Sequence, residues 1–197
     1  MKQIVIATKN RGKAKEFKDF FASYGIHARS LLELDDDLPS VAETGSTFKE
    51  NAALKAEQIA QQLSTPVLAD DSGLEIDALG GKPGIFSARY AGEPTDDRAN
   101  NSKVLSQLKG VPTNERTARF VCVLALAIPE QDTVFRTGFC EGKITTEPKG
   151  QHGFGYDPIF IPDGYSKTMA ELTAEEKNRI SHRSKAMKKL GQFFEIL

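Results

Sequence analysis

Ile4-Val5-Ile6-Ala7-Thr8-Lys9-Asn10-Arg11-Gly12-Lys13 is a short apolar run that breaks into a basic loop containing one glycine. An unbroken apolar run of this length suits a strand buried on both faces. Behind the loop, Phe17, Phe20, Phe21 and Tyr24 stand at i, i+3, i+4 and i+7, a helical apolar stripe that ends at Gly25. The chain therefore opens as strand, polar loop, helix.

The pattern extends outward from there. Residues 33–47 are polar and aperiodic and read as a loop, and Thr47 with Glu50 predicts a capping box. The helix behind it gathers Phe48, Ala52, Ala56, Ile59, Ala60 and Leu63 on one side, with Asn51 and Lys55 one turn apart on another. Pro66–Ala69 reads as a second buried strand running into Asp70-Asp71-Ser72-Gly73. After it, Leu74, Ile76 and Ala78 alternate with Glu75 and Asp77, which predicts a half-exposed strand. A helix is expected over about 95–109, and strands over 117–128 and 133–142 form a hairpin signal. Helices are expected after Thr173, in a capping box with Glu176, and after Ser181. Strands alternating with helices, followed by a hairpin, predict an α/β fold with a mixed sheet, and no repeat or linker divides residues 1–197 into more than one domain.

A net charge of −1 gives no bulk attraction to nucleic acid or to a membrane surface, so an anionic ligand must be held by local charge. No apolar run is long enough to span a bilayer, and no signal-peptide pattern precedes the first strand. Cys122 and Cys140 lack metal-ligand spacing and read as buried thiols. A cytoplasmic setting is the expectation.

Several constellations could carry chemistry. The loop Thr8–Lys13 joins strand to helix, so its amides and the positive helix end suit a phosphate, with Lys9, Arg11 and Lys13 adding charge and Gly12 allowing close approach. Phosphate-loop spacing is absent, and a solvated basic helix start is the competing reading. Asp70 and Asp71 at the end of a buried strand call for a cation, and Mg²⁺ suits oxygen ligands shared with substrate phosphates. Strand alternation sends the two carboxylates to opposite faces, so one can meet metal while the other meets a lysine; an Asx turn is the alternative. Glu43 matters only as a second metal ligand. In Gly153-Phe154-Gly155-Tyr156-Asp157-Pro158 the aromatics offer a face for a flat ring and Asp157 an acceptor, against a turn that merely fills the core. Lys177, His182 and Arg183 add cations, the last two in a first helical turn where the macrodipole disfavours them.

The segments Thr8-x-Asn10-x-x-Lys13, Glu43-Thr44-Gly45-x-Thr47-Phe48-x-Glu50-Asn51-Ala52, Ala69–Leu74, Gly84-Ile85-x-Ser87-Ala88-Arg89-Tyr90, Gly153–Pro158 and Ser181–Arg183 together resemble the inosine triphosphate pyrophosphatase family, whose bacterial members are dITP/XTP pyrophosphatases. The match spans nearly the whole chain in order. The resemblance implies Mg²⁺-dependent hydrolysis of ITP, dITP and XTP to the monophosphate and pyrophosphate, which clears deaminated purines from the nucleotide pool. It also implies a two-lobed domain with a long curved mixed sheet flanked by helices, a nucleotide cleft between the lobes and a homodimer.

By the same resemblance Thr8, Asn10 and Lys13 would hold the triphosphate, and Glu43 and Asp71 the metal. Asp71 would be the proton acceptor, with Asp70 and Lys13 supporting catalysis. Ser72 would contact substrate, Phe154 would stack on the purine, and Gly155, Tyr156 and Asp157 would line the base site. Lys177, His182 and Arg183 would contact the nucleotide, the last two at the 6-oxo edge, where a donor such as Arg183 would reject ATP. A carboxylate that holds a cation is a poor base, so Asp71 either takes the proton or positions the water. Residue chemistry alone does not separate attack at the α-phosphate from attack at the γ-phosphate, nor an enzyme from a nucleotide sensor. The resemblance favours the pyrophosphatase.

Overall fold

The computed structural model describes residues 1–34 and 41–195; of the loop read over 33–47, residues 35–40 lie outside the described residues. The fold is an α/β arrangement whose six-stranded mixed sheet is flanked by helices. The strands are β1 (Gln3–Ile6), β2 (His27–Ser30), β3 (Val67–Ile76), β4 (Thr117–Ala127), β5 (Val134–Ile144) and β6 (Phe160–Pro162), in the order β2-β1-β3-β4-β5-β6. β1 pairs in parallel with β2 and β3, and β5 pairs antiparallel with β6. The helices are α1 (Arg11–Ala22), α2 (Phe48–Leu63), α3 (Asp97–Gln107), α4 (Ala174–Ile180) and α5 (His182–Phe194).

The chain forms two compact units. The first contains Met1–Asp71, Val123–Thr137 and Ala186–Leu197, and the second Ser72–Cys122 and Gly138–Lys185. In the first, Ile4, Ile6, Phe17, Phe21, Ala56, Ile59 and Leu68 are buried, as the apolar run and the two helical stripes predict. The edge-on rings of Phe20, Phe21 and Phe194 extend this core. In the second, Leu74, Ile76, Val104, Leu108, Phe120, Ile144, Tyr156 and Phe160 form one cluster. Cys122 and Cys140 are buried free thiols, and burial pushes Cys140 up to about 11.

Two local expectations are corrected. The acidic pair does not end a strand: β3 continues from Val67 through Asp70-Asp71-Ser72-Gly73 to Ile76, while the expected alternation holds over Leu74, Glu75 and Ile76, buried at the first and last and half-buried between. Ala78 lies beyond it in a 3₁₀ turn, Asp77–Leu79. The turn-forming residues of this stretch are overruled by burial of the strand and by partners for the carboxylates. The Thr47 cap is as predicted, its side chain accepting from Glu50 N, but the Glu50 carboxylate accepts from Ser46 N and Ser46 Oγ. The full capping box forms instead at Thr173 and Glu176.

Candidate active site

The first unit assembles its polar residues where β1 ends. Ile6 is the last paired residue of β1, opposite Leu68, so Asp70 and Asp71 lie just past the end of their neighbour while still inside β3. The chain leaves β1 through Thr8, which is buried and whose Oγ1 accepts from Asn10 N at 3.2 Å. Asn10 then caps α1, its Oδ1 accepting from Lys13 N at 3.0 Å. Thr8 and Asn10 thereby shape the turn, and the amides of Arg11 and Gly12 lie in the first turn at the positive end of α1. Lys9, Arg11 and Gly12 are exposed.

Lys13 turns inward. Its Nζ donates to Asp70 Oδ2 at 2.6 Å, against a carboxylate that is 4% exposed. Asp71, on the other face as strand alternation requires, meets a different lysine. Lys55 Nζ lies 3.3 Å from Asp71 Oδ1, 3.0 Å from Glu43 Oε1 and 2.7 Å from the carbonyl oxygen of Asp70. Glu43 and Asp71, far apart in sequence, are thus brought to one ammonium. Asn51, one turn before Lys55, accepts from Gly45 N at 2.8 Å and holds the segment carrying Glu43 against α2.

The electrostatics follow from this crowding. Burial raises the Asp71 carboxyl above the ordinary aspartate range; Lys55 opposes the rise and Glu43 adds to it. Burial works against the Lys55 ammonium, yet Asp71, Asp70 and Glu43 together hold its pKa above the usual lysine value. Asp71 Oδ2 is buried without a hydrogen-bond partner among the described residues. A buried carboxylate oxygen left this way is costly and suits a cation. No group of three or more acid, histidine or cysteine side chains forms a metal cage among the described residues. The oxygen donors present are the Glu43 and Asp71 carboxylates that share Lys55, a hard-ligand pair of the kind Mg²⁺ uses only together with other oxygens such as substrate phosphates.

The second unit carries the aromatic loop. Phe154 is 54% exposed, with Lys177 Nζ 4.9 Å above its ring centre. Asp157 is buried; its Oδ2 accepts from Phe154 N at 3.0 Å and makes an ion pair with Lys177. Gly153 is required here, since a Cβ on it would stand 2.0 Å from Asp157 Oδ2. Tyr156 packs into the core cluster with its hydroxyl donating to Ser87 O at 2.8 Å, and burial pushes its phenol well up. It supports the loop from behind, while Phe154 presents its ring to solvent. Ser72 is half-buried at the start of this unit's part of β3. His182 stacks on Phe120 with ring centres 5.0 Å apart and planes 17° off parallel. Arg183 is 4% exposed, a guanidinium buried in the first turn of α5.

The structure thus gathers Thr8, Asn10, Lys13, Glu43, Asp70 and Asp71 in one unit, and Phe154, Gly155, Tyr156, Asp157 and Lys177 in the other. Sequence reading missed Lys55, whose signal was its place one turn after Asn51 on the polar side of α2. It also missed Asp97 and Asn101, which reach Gly155 from α3.

Comparison with known proteins places the chain in a family. The profile of the Ham1 family matches residues 4–193. A dITP/XTP pyrophosphatase of Oceanobacillus iheyensis is 60% identical over 197 residues, covering 100% of both chains. The solved Ham1 protein of Staphylococcus aureus superposes with a TM-score of 0.91 at 47% identity, covering 98% of each chain. A HAM1 protein from Coxiella burnetii gives 0.93 at 41% identity over the full length of both. Matched along nearly its whole length in sequence and in fold, the chain belongs to the Ham1 family.

Proposed function

We propose that this protein hydrolyses the non-standard purine nucleoside triphosphates dITP, ITP and XTP to the monophosphate and pyrophosphate, and so removes deaminated purines from the nucleotide pool. The observation that carries the reading is the paired array at the end of β1, Lys13 on Asp70 and Lys55 on Asp71 and Glu43. Full-length relatives named dITP/XTP pyrophosphatase support the substrate class.

In this reading the start of α1 receives phosphate oxygens through first-turn amides and through Lys9, Arg11 and Lys13. Asp70 holds Lys13 where charge develops on the phosphoryl group and the leaving pyrophosphate. Glu43 and Asp71 would hold Mg²⁺, which when bound neutralises phosphate charge and acidifies water. Lys55 keeps the two carboxylates together and ionised, and Asp71 orients the attacking water. Phe154 stacks on the purine, Asp157 fixes that ring through Phe154 N and Lys177, and Gly155 and Tyr156 set the loop. Ser72 contacts the nucleotide, and His182 and Arg183 read the 6-oxo edge, where an adenine amino group finds no acceptor.

We place residues 1–197 in one pyrophosphatase domain that works as a homodimer in the cytoplasm. Among the described residues no helix is long and apolar enough to cross a membrane. Light scattering on the purified protein tests the dimer. Turnover of dITP, XTP, dGTP and dATP with Mg²⁺ tests the function: the first two are expected to exceed dATP through the 6-oxo edge, and dGTP through exclusion of its 2-amino group, each by at least about a hundredfold in kcat/KM. Equal rates on all four would overturn the specificity assigned to the aromatic loop and α5.

A further inference from the structure

The loop that carries Phe154 is gripped from a helix that none of the family motifs include. Asp97 Oδ2 accepts from Gly155 N at 2.6 Å, and Asn101 Nδ2 donates to Gly155 O at 3.0 Å. The two residues stand one turn apart on α3, and the peptide groups they hold lie 58 and 54 residues away in sequence. Both polar groups of one residue are therefore fixed from a single helical face. Gly155 has φ +60°, a left-handed conformation open to glycine, whose backbone freedom the two contacts restrict. Asp97 sits in the first turn of α3, behind the Asp96 cap, where the helix favours its negative charge.

The same turn of α3 continues the grip. Asn100 Nδ2 donates to Ala88 O at 3.0 Å and its Oδ1 accepts from Ala91 N at 2.6 Å, so α3 also fixes the segment beside Ser87. Ser87 O in turn accepts the Tyr156 hydroxyl. The residues on either side of Phe154-Gly155 are held as well: His152 N donates to Ala170 O at 3.0 Å, and Asp157 binds Phe154 N. Phe154 O also accepts from Asp157 N at 3.3 Å, so the Asp97 and Asn101 contacts complete the hydrogen bonding of the two peptide groups that flank the Gly155 Cα.

We propose that Asp97 and Asn101 are positioning residues for purine recognition: they lock the Gly155 peptide and thereby set the Phe154 ring against the base. This rests on the functional reading above. It assigns the two residues a part in substrate affinity and base selectivity, with no contact to the reacting phosphates.

The test compares Asp97→Ala, Asp97→Asn and Asn101→Ala with Ser102→Ala, an exposed neighbour on α3, as control. The expected result for Asp97→Ala is a rise in KM for dITP of about five- to twentyfold, the span of a lost charge-assisted hydrogen bond, with kcat within about twofold. Asp97→Asn keeps an acceptor oxygen and restores most of the affinity. Exchange of the Gly155 amide, followed by NMR, accelerates in Asp97→Ala and much less in Asp97→Asn. Accelerated exchange with unchanged KM overturns the proposal, as does a fall in melting temperature with both kinetic constants intact. Wild-type protein that fails to turn over dITP overturns the functional reading itself, and this proposal with it.

Discussion

The two candidate regions hold their acids in opposite ways. In the first unit, carboxylates meet ammonium groups: Asp70 meets Lys13, and Asp71 and Glu43 meet Lys55. In the second, carboxylates mainly hold backbone: Asp157 holds Phe154 N and Asp97 holds Gly155 N, and Asp157 also pairs with Lys177. In the proposed reaction, the first arrangement holds charge where charge would develop on phosphate. The second spends charge on shape, which is what discrimination between flat rings requires. Substitutions in the first region should therefore act on the rate, and those in the second on KM and selectivity.

The sharpest way to break this division is Asp71→Asn. The expected loss in kcat is on the order of 10³-fold with dITP, with a much smaller change in nucleotide affinity, measured by steady-state kinetics and by direct binding. A change confined to KM would put the catalytic centre elsewhere. Lys13→Ala comes next. It should lower kcat/KM by about a hundredfold and destabilise the fold by about 2 kcal/mol, since it removes an ammonium from a buried carboxylate while remaining partly solvated itself. Adding Asp70→Asn should recover stability without recovering activity, which urea titration and kinetics separate. Phe154→Ala should raise KM for dITP about tenfold with kcat and melting temperature almost unchanged, because the ring is half exposed and its value lies in stacking.

The smallest expected effect concerns pH. Burial raises the Tyr156 phenol above its ordinary value, so the folded protein keeps its proton when the unfolded chain begins to lose it. The contribution of Tyr156 to stability is then fully present below about pH 10 and is lost as pH rises further. Urea midpoints at pH 9 and pH 11 should show a smaller decline in Tyr156→Phe than in the wild type. An equal decline would mean that this phenol ionises as freely in the fold as in solution.

Much of this was legible in the residues because it is local. The strand, loop and helix of residues 4–25 follow from one apolar run and one helical stripe, and the caps at Thr47 and Ser181 follow from side chains that compete for backbone amides. The segments named by resemblance fall on both polar regions. What escaped is what distant partners decide. Asp70-Asp71-Ser72-Gly73 reads as a turn because its residues favour turns, yet Lys13, 57 residues away, and Lys55, 16 residues away, let the carboxylates stay within a buried strand. In the sequence Lys55 stands one turn from Asn51 with no partner assigned, and Asp97 is not singled out. Neither residue shows its partner in its own neighbourhood of the chain.

In the proposed reaction the array around Asp71 directs water to the α-phosphate. The most direct measurement is phosphorus NMR of the products formed from dITP and Mg²⁺ in ¹⁸O-labelled water. Attack at the α-phosphate yields dIMP and pyrophosphate in equal amounts, with the label on dIMP; dIDP and orthophosphate would rule it out.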